Sequence, residues 1–221
     1  FSTRDLNGST IQTISVKVQG TNDLPIVTSN TSTVTYHEGG DYVLLVTDAQ
    51  FSDIDNTTFN GGSINVEIDQ AVIGDNVDVF SNSYLKVDGS NIKDNSDVVL
   101  GQVLKTSLDN GTENFYKISV TLTENADAND VTSILRAIGY KKDGVDINTV
   151  ENVSYKISVQ DGSGPDVNGN LSSTIVGNVN VTPQLETNLT EPDAVGDAQA
   201  STQIPLFGNI DLTGNGLPSS I

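Results

Sequence analysis

Two pairs of oxygen-bearing side chains are spaced so that they could share one ion. Asn22 and Asp23, in the stretch Gly20-Thr21-Asn22-Asp23-Leu24-Pro25, offer an amide oxygen and a carboxylate. Asp53 and Asp55, in Asp53-Ile54-Asp55-Asn56, offer two carboxylates that can turn to one side if the loop curls. These are hard ligands of the kind calcium takes, six to eight oxygens at roughly 2.3–2.6 Å, so neither pair suffices alone and the two would have to combine. The competing reading is a pair of solvated acidic turns. Charge favours the ion. The 221 residues carry 10 Lys and Arg against 29 Asp and Glu, a net charge of −19. Such self-repulsion weakens a compact state unless cations offset it, and it argues against nucleic acid or an anionic membrane surface as partner.

Other chemistry has little to work with. The chain has no cysteine, so neither a disulfide framework nor a thiolate metal site is available. His37 is the only histidine, and its neighbour Glu38 alone does not make a catalytic pair. There is no nucleophile elbow and no phosphate loop. Carboxylate pairs are too common in so acidic a chain to single out a glycosidase. The sequence therefore reads as a non-enzyme. No apolar run approaches the length of a membrane span, which argues against membrane insertion. Asp211-Leu212-Thr213-Gly214-Asn215-Gly216 matches the opening of an EF-hand loop only superficially and is read as coincidence.

The elements that must position these residues are extended. Pro25 fixes φ and pushes Leu24 out of the helical region, so the joint at residues 20–25 connects strands. Ile14, Val16 and Val18 alternate before it, as the last strand of a preceding unit. After it, Tyr42–Val46 reads as a short apolar strand. Ile64, Val66 and Ile68 alternate, as do Tyr116, Ile118, Val120 and Leu122, and Val153, Tyr155, Ile157 and Val159. Weaker strands are predicted near 77–80, 84–87 and 98–104. Asn, Asp, Gly and Ser turns separate them, as in a β-sandwich. One helix interrupts the pattern. Val131, Ile134, Leu135 and Ile138 form a single apolar stripe, Asp127 is placed to cap it, and Gly139 is placed to end it. Residues 170–183 echo the tail before the joint, with Val179 and Val181 in the places of Val16 and Val18. A terminal strand repeated at a domain-sized interval predicts a tandem array. The expected division is 1–22 as terminal strand and joint of a preceding repeat, 23–184 as the sandwich, and 185–221 as the start of a following unit or an extended tail.

Five motifs, in this order, carry a family resemblance. They are Gly20–Pro25, Tyr36-His37-Glu38-Gly39-Gly40, Phe51–Asp55 with Phe59-Asn60-Gly61-Gly62, Leu135–Tyr140, and Val159-Gln160-Asp161-Gly162-Ser163-Gly164. Together they resemble the cadherin-like repeat of large bacterial surface adhesins of the RTX type. The resemblance implies an all-β, antiparallel cadherin- or Ig-like sandwich with one short packed helix, strung in series on an extracellular fibre that supports adhesion or biofilm formation. It implies Ca2+ as cofactor and neighbouring repeats of the same polypeptide as partners. Glu38 and Asp161 would form a second metal-ligating constellation at the end that meets a neighbour, beside Asn22, Asp23, Asp53 and Asp55. The second joint, Val181-Thr182-Pro183-Gln184, lacks the Asn-Asp pair, which puts a cation there in doubt. The alternative function is a ligand-binding module of the same adhesin, gripping a host or neighbour-cell peptide or glycan, with its pocket sought in residues 82–111 or around the helix.

Overall fold

A computed structural model describes residues 14–16, 22–108, 115–162 and 172–184. Within them the chain is all-β with one short helix. Its strands are β1 (Ile26–Thr28), β2 (Thr33–His37), β3 (Val43–Leu44), β4 (Gln50–Ser52), β5 (Ser63–Ile68), β6 (Asp75–Val79), β7 (Lys86–Asp88), β8 (Asn91–Lys93), β9 (Val99–Ser107) and β10 (Phe115–Leu122), then, after helix α1 (Ala128–Arg136), β11 (Ile138–Lys142), β12 (Glu151–Gln160) and β13 (Ser172–Thr182). An eight-stranded sheet runs β2-β13-β12-β5-β10-β9-β8-β7, a three-stranded sheet β3-β11-β6, and β1 pairs with β4 alone. All pairings are antiparallel except that of β13 with β2, which departs from the purely antiparallel arrangement expected.

Period-two alternation builds the core. Ile64, Val66 and Ile68 of β5 point the same way as Ile118, Val120 and Leu122 of β10 and Tyr155, Ile157 and Val159 of β12, and all are buried. Register turns these into rows across the sheet, Ile157 opposite Val66 and Val66 opposite Ile118, then Val159 opposite Ile64 and Ile64 opposite Val120. The other face of the same strands is polar, with Glu67 paired to Lys117 at 3.4 Å. β6 of the small sheet packs across β10 and β5, so Val77 and Val79 close the core from the far side. Gly177 is required where it stands. It faces Tyr155 across the β12–β13 ladder, and a Cβ there would lie 2.3 Å from the Tyr155 hydroxyl. That hydroxyl instead donates to Leu45 O at 3.0 Å, inside the core.

The helix begins as its sequence predicts. Asp127 Oδ1 accepts from Asn129 N and Asp130 N, while Asp130 Oδ2 accepts from Asp127 N, a reciprocal capping box. Val131, Ile134 and Leu135 are fully buried. Its end is different. The helix stops at Arg136, and Ile138 and Gly139 lie in β11. Gly139 serves packing there, because a Cβ would sit about 3 Å from the rings of Phe80 and Tyr42, which stack with centroids 3.5 Å apart.

The predicted strand at 14–18 is not formed where it is described. Residues 14–16 have no regular structure and leave Ile14 66% and Val16 79% exposed. The expected following unit at 185–221, with Asp211–Gly216, and the last two residues of the motif 159–164 lie outside the described residues. If the buried stripe holds α1 in place, Leu135→Ala should lower unfolding free energy by about 2–5 kcal/mol, read from urea denaturation. A loss under about 0.5 kcal/mol would place the stripe in solvent.

Candidate metal centre

The lone pairing of β1 with β4 brings the joint to the acidic loop. In that antiparallel pair Ile26 faces Ser52, so the residues just before β1 and just after β4 emerge side by side. Asp23 N donates to Asp55 Oδ2 at 2.5 Å. Asp53 Oδ1 accepts from Asp55 N and Asn56 N, both at 2.9 Å, which curls the loop on itself. Asp161 arrives from a third direction, directly after β12, whose last residue Gln160 faces both Ser63 and Ser172. Gly62 and Gly162 allow this close approach, since a Cβ on either would fall under 3 Å from backbone of the other turn. Asn22 Nδ2 then donates to Asp161 Oδ2 at 2.6 Å.

Two carboxylates are thereby only half satisfied. Asp53 Oδ2 and Asp161 Oδ1 are closed off from solvent without a hydrogen-bond donor, and the Asn56 side-chain Nδ2 is closed off without an acceptor. Asp161 as a whole is 2% exposed. An unpaired buried carboxylate oxygen is expensive, and a cation that accepts its lone pair removes the expense. Asp23 takes part differently from expectation: its backbone N–H is the engaged group, and its side chain is exposed. Among the described residues no group of three or more His, Cys, Asp or Glu side chains is drawn together closely enough to hold a metal. Any ion here would need amide, backbone or water oxygens as well, as calcium sites commonly use.

Glu38 does not join Asp161. It follows β2 and sits at the far end of β13, while Asp161 lies beside the start of β13. Eleven residues of strand separate the two ends, roughly 35 Å. The expected second constellation is therefore split, with Asp161 added to the joint cluster and Glu38 left at the opposite end. There Glu38 Oε2 accepts from Gln184 N and Oε1 from Ile147 N, each at 2.9 Å. These two donors, Gln184 first, hold its carboxyl below the usual carboxylate range. It lines a polar cleft of about 550 Å³ with Tyr36, Asp41, Asp143 and Asp146, and a Lys141–Asp143 pair at 2.7 Å spans part of it. His37 Nδ1 contacts Thr182 Oγ1 at 2.7 Å across the parallel pair.

Sequence reading missed three charged residues. Asp48 gathers Ser29 Oγ, Asn30 N and Thr31 Oγ1 at 2.6–2.8 Å, which holds its carboxyl well below the ordinary range and ties the loop after β1. Buried Lys142 and Asp75 were also missed, although parity marks them: Lys142 shares a face with Ile138 and Tyr140, and Asp75 with Val77 and Val79. A further cleft, of about 600 Å³, opens on the outer face of the large sheet between Glu67, Lys156, Val176 and Asn178, away from residues 82–111. Comparison with family models, curated proteins and solved structures finds no match to this chain.

The hydrogen bonds to Glu38 carry a pH signature. A carboxyl with a lowered folded pKa adds stability above its unfolded pKa and loses it as pH falls through the folded value. Glu38→Gln should therefore lower the melting midpoint near neutral pH and flatten its decline on acidification. An unchanged acid limb in melting curves taken from neutral to acid pH would show that Gln184 and Ile147 do not hold this carboxylate in solution.

Proposed function

We propose that the chain is an extender module of a bacterial cell-surface adhesin, a β-sandwich that calcium stiffens at the joint with its preceding repeat. One observation carries this reading: two carboxylate oxygens, Asp53 Oδ2 and Asp161 Oδ1, are buried without donors where the joint residue Asn22 is bound. They come from a loop and a strand end, so an ion touching both would fasten these to the segment that carries Asn22. Calcium supplies the positive charge that neutralises them. Asp53 and Asp161 hold it, Asn22 contributes its amide oxygen by rotation about its last torsion, and Asp55 and Asp23 stand close by to complete the shell with water. The small sheet across the large one supports the sandwich. The net charge of −19 and the absence of cysteine suit a surface location where calcium is plentiful.

Mechanical sense follows from the site's place. Contacts between domains of one chain are usually small, so relative motion is the default. Joint residues tied to Asp55 and Asp161 swing less than a free linker, and an extended fibre needs that. At the opposite end Glu38 is fully paired by backbone donors, so the ion belongs to the first joint. A second reading, a module that binds a peptide or glycan, draws on the cleft of about 600 Å³ on the outer sheet face. Glycan or peptide binding that Lys156→Ala and Val176→Ala abolish, with melting unaltered by calcium, would favour it.

Calcium binding only the folded state adds about 2.7 kcal/mol per site at a hundredfold excess over its dissociation constant. For a chain of this size that is a rise of roughly 5–10 °C in melting midpoint. The rise should vanish in chelator and in Asp53→Asn with Asp161→Asn. A midpoint indifferent to calcium would remove the basis of the proposal.

A further inference from the structure

Lys142 is a charged residue on a buried face. Its side chain is 1% exposed, and its Nζ lies 3.5 Å from Oδ1 of Asp75, which is 2% exposed. The same amine hydrogen-bonds Glu151 Oε2. Lys142 and Asp75 are direct partners across the β11–β6 ladder, so the backbone itself holds amine beside carboxyl. The carboxyl is gripped from both sides: Tyr140 Oη donates to Oδ1 at 2.6 Å and Val72 N to Oδ2 at 2.9 Å. Tyr36 meets the Tyr140 ring edge-on at 5.7 Å, walling the site. Burial and the Asp75 carboxylate push the Tyr140 hydroxyl pKa upward, so it remains a donor. Gly74, at φ +99°, lets the turn close over the lysine stem, since a Cβ there would stand 2.6 Å from Val145 Cγ2 and 3.4 Å from Lys142 Cγ.

We propose that Lys142 and Asp75 condense into an intramolecular isopeptide bond, with Glu151 as the catalytic residue that carries the proton. Glu151 takes a proton from Nζ, and the freed amine attacks Asp75 Cγ. One C–O bond of about 1.2 Å separates Cγ from Oδ1, which caps the approach from Nζ below about 5 Å before any movement. Tyr140 and the Val72 amide stabilise the charge that builds on the carboxyl oxygens at the tetrahedral stage. The Nζ–Cγ bond forms and a Cγ–O bond breaks. The departing oxygen leaves as water, with two of the three ammonium protons, one of them delivered by Glu151. An ammonium and a carboxylate become one amide and one water, with no change of oxidation state.

Condensation of free partners in water is opposed by the solvent, but this site reverses the balance. It holds the partners at high effective concentration, and the reaction erases two buried charges whose desolvation is costly. Glu151 is 39% exposed and borders a cleft of about 330 Å³ that also touches Val72 and Asp75, an exit for the water. The bond would lock β6 to β11 covalently. It owes nothing to calcium.

Intact mass of the folded, then denatured, full chain tests this without any variant. The expected mass is that of the sequence less one water, with a branched tryptic peptide joining the segments that carry Asp75 and Lys142. Lys142→Arg should keep its full mass. Asp75→Asn should lose ammonia and reach the wild-type product. Glu151→Gln should slow bond formation about 100- to 10,000-fold, the usual reach of proton-transfer catalysis. A folded wild-type chain with its full sequence mass overturns the proposal, as does a loss of water mapped to other residues. Unslowed bonding in Glu151→Gln overturns the role given to Glu151.

Discussion

A carboxylate oxygen shut away from water must be met by a donor or a cation, and at the joint two are met by neither. Asp53 satisfies Oδ1 by curling its own loop, and Asp161 satisfies Oδ2 through Asn22, but the second oxygen of each is left over. β1 and β4 form an isolated two-stranded pair, marginal alone, and its effect is to carry residues 22–25 to residues 53–56. Gly62 and Gly162 let the end of β12 reach the same place. In a chain of net charge −19, concentrating further negative charge without an ion would work against folding.

The two ends of the large sheet handle acid differently. At one end the acceptors exceed the donors. At the other, Glu38 is matched by two backbone amides, which pin Gln184, just past β13, to the turn after β2. Thr182 O also accepts from Glu38 N. Gln184 is thus held by hydrogen bonds, whereas at the other end Asp53 Oδ2 and Asp161 Oδ1 are buried without donors.

What the sequence made legible was periodicity. Strands β5, β10 and β12 and the capped start of α1 follow from alternation, from the stripe at Val131, Ile134 and Leu135, and from Asp127. Neighbourhood was not legible, because period two says which face is buried and not which strand lies alongside. Hence the parallel β13–β2 pair was unforeseen, and Glu38 and Asp161 were grouped although one strand's length separates them. Gly139 looked like a helix stop because glycine ends helices often, yet two stacked rings require it within a strand. Lys142 was overlooked although its parity was plain, since a lysine at a strand end is usually solvent-facing.

Whether calcium occupies the cluster of Asn22, Asp53 and Asp161 decides the proposed function most directly. A crystal structure determined in calcium, with anomalous scattering to identify the ion, answers it. The account predicts an ion at roughly 2.3–2.6 Å from Asp53 Oδ2 and Asp161 Oδ1, with remaining positions filled by amide, backbone or water oxygens. Density at both oxygens explained by water or by protonated carboxyls, in saturating calcium, would contradict it.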